Sequence, residues 1–202
     1  LLEIDLAFPR SYEVQEIGEL PGTGGFAYPT IFFPPPQTRP EHDGLWVTVK
    51  AENGKQWIGN FKFGCSSPPA FSRIVSSPDP RKMCVISNGA AYLVNADGPD
   101  EWEKVPIIPV LDVRQIPEHG LLILSDFTRL AAYGSCGLAW RSPRVCWDGL
   151  EIVRVTHDTI DGVGYDPTNS ITHESRFIVD LKTGRSLVPL PLSTEGNQSG
   201  RK

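Results

Sequence analysis

Apolar runs of strand length, cut by turn residues, organise the chain from Met83 to Gly134. MCVIS meets Asn88-Gly89, AAYLVN meets Asp97-Gly98, VPIIPVLDV ends near Pro117, LLILS meets Asp126 and RLAAY ends at Gly134. Runs of this length, rich in Val, Ile, Leu and Tyr, read as strands, and Asn-Gly between two of them is the strongest short-range hairpin signal. The stretch is predicted to be a β-meander, and the protein all-β, built of antiparallel hairpins.

The same patterns extend outwards. Leu2-Glu3-Ile4-Asp5-Leu6 alternates as a half-buried strand does and is expected at an edge or as a closing strand. Gly44 to Gly64 is the clearest hairpin: Leu45, Val47 and Val49 alternate with Trp46, Thr48 and Lys50, then Trp57, Gly59, Phe61 and Phe63 alternate with Ile58, Asn60 and Lys62. Asn53-Gly54 between them predicts a type I′ turn. Both faces carry aromatics, so one is expected in the core and the other against a neighbour or as a patch. Phe71 to Val75 is a further short strand. Leu150 to Gly164 is a hairpin turning at His157-Asp158, and Phe177 to Leu181 is a late strand closed by Lys182-Thr183-Gly184. No helical stripe lasts three turns, and Pro99 to Lys104 is a single turn at most.

Other stretches break the pattern. From Ser11 to Gly25 the alternation decays into PGTGG, which lacks the Lys-Ser/Thr ending of a P-loop and the spacing of a Rossmann turn and reads as a flexible loop. The triple proline in YPTIFFPPPQTRP, from Tyr28 to Pro40, favours polyproline II, a surface connection pinned by Phe32 and Phe33. Three segments, Gly44 to Pro80, Met83 to Glu118 and Gly120 to His157, share a loose order of strand, turn and aromatic strand with a period of roughly 40 residues, the length of a propeller blade. A two-sheet sandwich and a small propeller-like arrangement both fit.

Composition narrows the class. At 202 residues, with 40% hydrophobic and 21% charged content, the chain suits one globular all-β domain over residues 1–190, with a disordered polar tail over 191–202 that holds the sequon Asn197-Gln198-Ser199. The formal charge of −5 without a basic stripe argues against a nucleic-acid partner. No apolar run approaches the ~20 residues of a membrane helix. The first residue, Leu1, leaves room for a removed leader, so the compartment stays open. Cys65, Cys84, Cys136 and Cys146 show no C-x-x-C spacing and read as buried reduced thiols, with a Cys136–Cys146 bridge as the alternative.

Trp140-Arg141-Ser142-Pro143-Arg144-Val145-Cys146-Trp147-Asp148-Gly149, the later Val179-Asp180-Leu181-Lys182-Thr183-Gly184, and Gly162-x-Gly164-Tyr165-Asp166-Pro167 between them resemble uncharacterised bacterial all-β proteins. These carry a W-x-x-x-R-x-x-W-D-G hairpin followed by a D-L-x-T-G turn. The resemblance covers about the C-terminal third, implies a β fold and transfers no activity.

The richest polar-aromatic cluster is Trp140, Arg141, Arg144, Trp147 and Asp148. If Trp140, Ser142 and Arg144 share a strand face, guanidinium and indole can stack, and Arg144 can hold a carboxylate. The alternative is that both tryptophans are core and Arg141 or Arg144 pairs with Asp148 or Glu151. Asp158, Asp161, Tyr165, Asp166 and His173, and likewise Asn95, Asp97, Asp100 and Glu101, read as turn chemistry in preference to a Ca²⁺ site. His42, His119, His157 and His173 all fall in loops, with no H-E-x-x-H or G-x-S-x-G, and Cys136 in Gly-Ser-Cys-Gly reads as a structural thiol. No catalytic residue, metal or cofactor is therefore assigned. The expectation is a non-enzymatic binding protein whose aromatic-arginine surface takes a protein or peptide partner. The alternative is a carbohydrate-active or ester hydrolase with a loop-built site, or a carbohydrate-binding module. The oligomeric state is open.

Overall fold

The computed structural model describes residues 2–19, 25–36, 43–64 and 71–190, and the protein is all-β. In chain order the strands are β1 (Glu3–Asp5), β2 (Tyr12–Glu16), β3 (Thr30–Phe33), β4 (Gly44–Ala51), β5 (Gln56–Lys62), β6 (Arg73–Ser76), β7 (Lys82–Ser87) and β8 (Ala90–Asn95). They continue as β9 (Trp102–Lys104), β10 (Asp112–Ile116), β11 (Leu121–Ser125), β12 (Leu130–Gly134), β13 (Gly137–Arg141), β14 (Asp148–Val155), β15 (Thr159–Tyr165) and β16 (Glu174–Asp180). One 3₁₀ turn, Pro117–His119, lies between β10 and β11.

The strands form four sheets, in the orders β1-β6-β7-β8-β9, β2-β4-β5-β3, β10-β11-β12-β13 and β14-β15-β16. Consecutive meanders begin at Arg73, Asp112 and Asp148, so a period near that expected exists, but its phase differs from the predicted segments. Among the described residues no sheet closes into a barrel, and no closed propeller forms.

Two compact units divide the described residues. The first comprises residues 1–126 and 130–140, the second residues 127–129 and 141–202. The stretch expected as a disordered tail, 191–202, lies outside the described residues, as do Cys65, His42 and the sequon.

In the first unit the sheet containing β7 and β8 is a middle layer. Along these strands every second side chain enters one core and its neighbours enter another. Ile74, Met83, Val85, Tyr92 and Val94 pack with Val47, Val49, Trp57, Phe61 and Phe33. Val75, Cys84, Ile86, Ala91 and Leu93 pack with Val113, Leu122, Leu124, Ala131 and Tyr133. This explains why MCVIS and AAYLVN are apolar without alternation: a strand covered on both faces has no solvent side to mark with polar residues. The sandwich therefore has three layers here. Hydrogen bonds stitch the first interface, from Ser87 Oγ to the Phe61 carbonyl (2.7 Å), Tyr92 OH to the Lys62 carbonyl (2.9 Å) and Trp57 Nε1 to the Ala96 carbonyl (2.9 Å).

Several local expectations are corrected. Asn88 and Gly89 both have positive φ, 46° and 81°, as a two-residue type I′ hairpin requires. At the other Asn-Gly only Gly54 does (84°). There the Gly54 N–H donates to the Ala51 carbonyl, closing a type I turn that a left-handed glycine follows, so the predicted type I′ turn is replaced by a longer connection. VPIIPVLDV is not one strand: Val105, Ile107 and Val110 are buried plugs in an irregular crossing, and pairing starts only at Asp112 because the prolines lack the N–H a ladder needs. The connection read over Tyr28 to Pro40 contains β3, a parallel edge strand whose Phe33 stacks on Phe61 at 4.6 Å. The decaying stretch after Ser11 contains β2, and the expected single turn before Lys104 ends in β9. β1 runs parallel to β6 at a sheet edge, as expected, but all three of its residues are exposed, so the half-buried face read from the alternation reduces to the flanking Leu2 and Leu6.

The second unit is one three-stranded sheet with a buried and an open face. Leu150, Ile152, Ile160, Phe177 and Val179 are buried. Glycine sits where the buried face is tightest: a Cβ on Gly162 would lie 2.2 Å from the Phe177 ring and 2.3 Å from the Glu151 carbonyl oxygen. Phe127–Arg129, the turn between β11 and β12, belongs to this unit, since the Phe127 carbonyl accepts from the Leu150 N–H and the Thr128 carbonyl from the Val145 N–H.

Candidate functional site

The sequence-predicted cluster is not a hairpin. Strand β13 ends at Arg141 and β14 begins at Asp148 in another sheet, with Ser142-Pro143 ending the strand between them. Trp140 therefore belongs to the first unit and Arg141 to Asp148 to the second. Trp140 is 7% exposed, a core side chain, and Arg141 is exposed. The shared strand face of Trp140, Ser142 and Arg144 does not exist, because the strand stops before Ser142.

What the fold does bring together is Arg144 with Trp147. The guanidinium carbon lies 4.9 Å from the indole centroid, within cation–π range. Arg144 Nε donates to the Cys146 carbonyl at 3.0 Å, and a terminal nitrogen donates to the Trp147 carbonyl. A flexible, exposed side chain is thus held in one conformation by two backbone acceptors and a ring. Asp148 accepts from the Gly149 N–H at 2.8 Å. Among the described residues neither Asp148 nor Glu151 forms an ion pair with Arg141 or Arg144, so the expected alternative pairing is absent too.

The stack lies at the Tyr165 end of β15, where the Trp147 N–H donates to the Tyr165 carbonyl at 3.2 Å. Along the same sheet, β14 and β15 slip register twice, between Asp148 and Glu151 and between Ile152 and Arg154. Val153 is the extra residue at the second slip, so Val153 and Arg154 together oppose Asp161. A bulge of this kind turns neighbouring side chains to one side. Both residues are exposed, Val153 to 65%, and Arg154 pairs with Asp161 at 2.6 Å. Hydrogen bonds from the Thr159 hydroxyl and from Arg154 hold the Asp161 carboxyl below the usual carboxylate range. The result is a groove of about 400 Å³ whose walls include Val153, Arg154, Val163, Arg176 and Ile178. None of these except Asp161 stood out in the sequence, because a bulge leaves no mark in a hydrophobic pattern.

The other candidates resolve into local chemistry. Asp166 is buried and accepts from the Thr168 N–H (2.8 Å) and hydroxyl (2.6 Å), which lower its pKa against the cost of burial. Tyr165 stacks on His173 at 6.0 Å, and Asp158 lies at the hairpin turn. Asn95 donates to Glu101, which also pairs with Lys82 at 2.9 Å. Among the described residues no group of three His, Cys, Asp or Glu converges on one point. Cys136 is exposed at the β12–β13 turn, while Cys146 is buried and donates to the Phe127 carbonyl at 3.3 Å; neither is in a disulfide, so the alternative bridge does not form. Burial pushes the Cys84 thiol up to about 12.

No family model matches the chain, and no curated protein matches it in sequence. Among solved structures, it is similar to a chain of a Saccharomyces cerevisiae complex in which a Dbp5 variant is bound to Nup159, a Gle1 variant, IP6 and ADP. That likeness covers 96% of this chain and 55% of the other at 10% identity, with a TM-score of 0.38. The chain thus spans about half the length of the one it matches, and a likeness at that score carries no argument about fold or activity.

Proposed function

We propose that the chain is a non-enzymatic binding protein whose second unit presents an aromatic-arginine surface to a protein or peptide partner. The observation that supports this reading is the Arg144–Trp147 stack, fixed by the carbonyls of Cys146 and Trp147. Arg and Trp are the residue types enriched where interfaces hold most of their binding energy. An arginine already ordered in the free protein loses little rotamer freedom on binding, a loss that otherwise costs about 0.5–1.5 kcal/mol per side chain. The groove beside Val153 and Arg176 adds a second recess, mostly apolar, to the same unit.

Quantitative affinity capture with the full chain tests the reading, comparing Arg144→Ala and Trp147→Phe with Lys182→Ala as an exposed control. The partners recovered by the unaltered chain should fall at least tenfold with Arg144→Ala and persist with Lys182→Ala, at unchanged thermal midpoints. Equal recovery across all variants sinks the surface assignment. Turnover of a glycan or ester that survives Arg144→Ala would favour the hydrolase.

A further inference from the structure

We infer that the first unit carries a second, independent binding site: a groove at one end of the β2–β4–β5 sheet that takes a lysine- or arginine-bearing peptide segment. The groove opens where β2 runs out past Glu16, β4 begins at Gly44 and β5 leaves at Phe63. Ile17 N–H donates to the Trp46 carbonyl at 2.9 Å and Phe63 N–H to the Asp43 carbonyl at 3.3 Å, which hold its mouth. Its volume is about 470 Å³, and its walls include Glu16, Ile17, Gly18, Asp43, Trp46 and Phe63.

The chemistry of the walls selects a cation. Trp46 points to the side of the sheet away from the core that Leu45 and Val47 enter, and its ring is fixed by Phe26 at 5.3 Å and Phe32 at 5.9 Å. Phe63 is 44% exposed at the same opening. Two carboxylates sit beside these rings. Asp43 and Glu16 are exposed, and among the described residues neither has an ion-pair partner; Glu16 accepts from the Leu2 N–H at 3.3 Å through one oxygen. Gly18 adds no side chain and faces open space. An ammonium or guanidinium placed here meets aromatic rings and carboxylate oxygens together, the two attractions that a cation draws on when it leaves water. A cationic side chain on a peptide fits this balance, whereas an acidic segment meets repulsion.

Fluorescence polarisation tests it, with the full chain and a labelled hexapeptide alternating lysine and glycine, beside its glutamate-glycine counterpart. The lysine peptide should bind and the glutamate peptide should not. Trp46→Leu, Phe63→Ser and the double variant Glu16→Gln with Asp43→Asn should each weaken binding at least tenfold. A charge-matched control, Glu13→Gln with Glu52→Gln, should change it less than twofold. No binding of the lysine peptide overturns the site. So does equal weakening by both double variants, which would mean generic attraction to a chain of net charge −5. If Trp46→Leu fails to fold, Phe63→Ser and the carboxylate pair decide the matter. The arginine surface of the second unit plays no part in this binding, so Arg144→Ala should leave it unchanged.

Discussion

Trp140 and Arg144, four positions apart, take opposite fates. Trp140 is buried from within strand β13; Arg144 can fold back because Pro143 has already broken that strand. At this scale the side chains that matter most for packing are those that are missing. Gly162 has no room for a methyl group, with the Phe177 ring and the Glu151 carbonyl both inside 2.5 Å of where it would sit. Gly162→Ala should therefore lower stability by about 1–3 kcal/mol, the usual cost of overpacking. Gly98, whose Cβ would meet nothing within 4 Å, serves as the comparison: Gly98→Ala should stay within about 0.5 kcal/mol in urea unfolding. If both variants have the same midpoint, the tight contact on the buried face is not real.

Among the elements, the two Asn-Gly turns separate cleanly. Asn88 has left-handed φ and Asn53 does not, although the dipeptides are identical. Asn88→Ala should cost about 1 kcal/mol, because alanine resists that conformation. Asn53→Ala should cost less, losing chiefly the bond its Oδ1 accepts from the Lys55 N–H. Equal losses would contradict the turn assignment. The elements legible in the sequence were those with a strong local signal: β7 and β8 from their unbroken apolar runs, β4 and β5 from their alternation, β14 and β15 from theirs. What escaped was set by distant partners. Residues Tyr12–Glu16 become a strand only beside β4, and Thr30–Phe33 only beside β5, so neither carries its own evidence. For the same reason the Arg144–Trp147 pair was legible as chemistry but not as geometry. The Val153 bulge and the Trp46 groove, assembled from three separated stretches, were not legible at all.

Across the molecule, three weak acids are held protonated in the folded state. Burial raises the Cys84 thiol from 9.0 to about 12 and the Tyr92 hydroxyl from 10.0 to about 12, and it raises Tyr12 further still. Each keeps its proton in the native protein where the unfolded chain has released it. Their contribution is therefore intact below pH 9 and lost as pH rises towards 12. Above pH 9 each such group removes about 1.4 kcal/mol per pH unit once its unfolded form is ionised. Urea midpoints should fall between pH 8 and pH 10.5, and the fall should be shallower in Cys84→Ala, whatever that variant's stability at pH 8. A slope that Cys84→Ala leaves unchanged would exclude the thiol as its source.

The turn Phe127–Arg129 has a consequence for anyone dividing the protein. Because this turn leaves a hairpin of the first unit so that Phe127 and Thr128 supply carbonyls to Val145, Leu150 and Cys146, the chain crosses the unit boundary three times. No single cut yields both halves whole. A fragment beginning at Arg141 lacks acceptors for two backbone amides and a thiol, and a fragment ending at Trp140 carries them away unused. The two units are each compact, but they are not consecutive pieces of the chain.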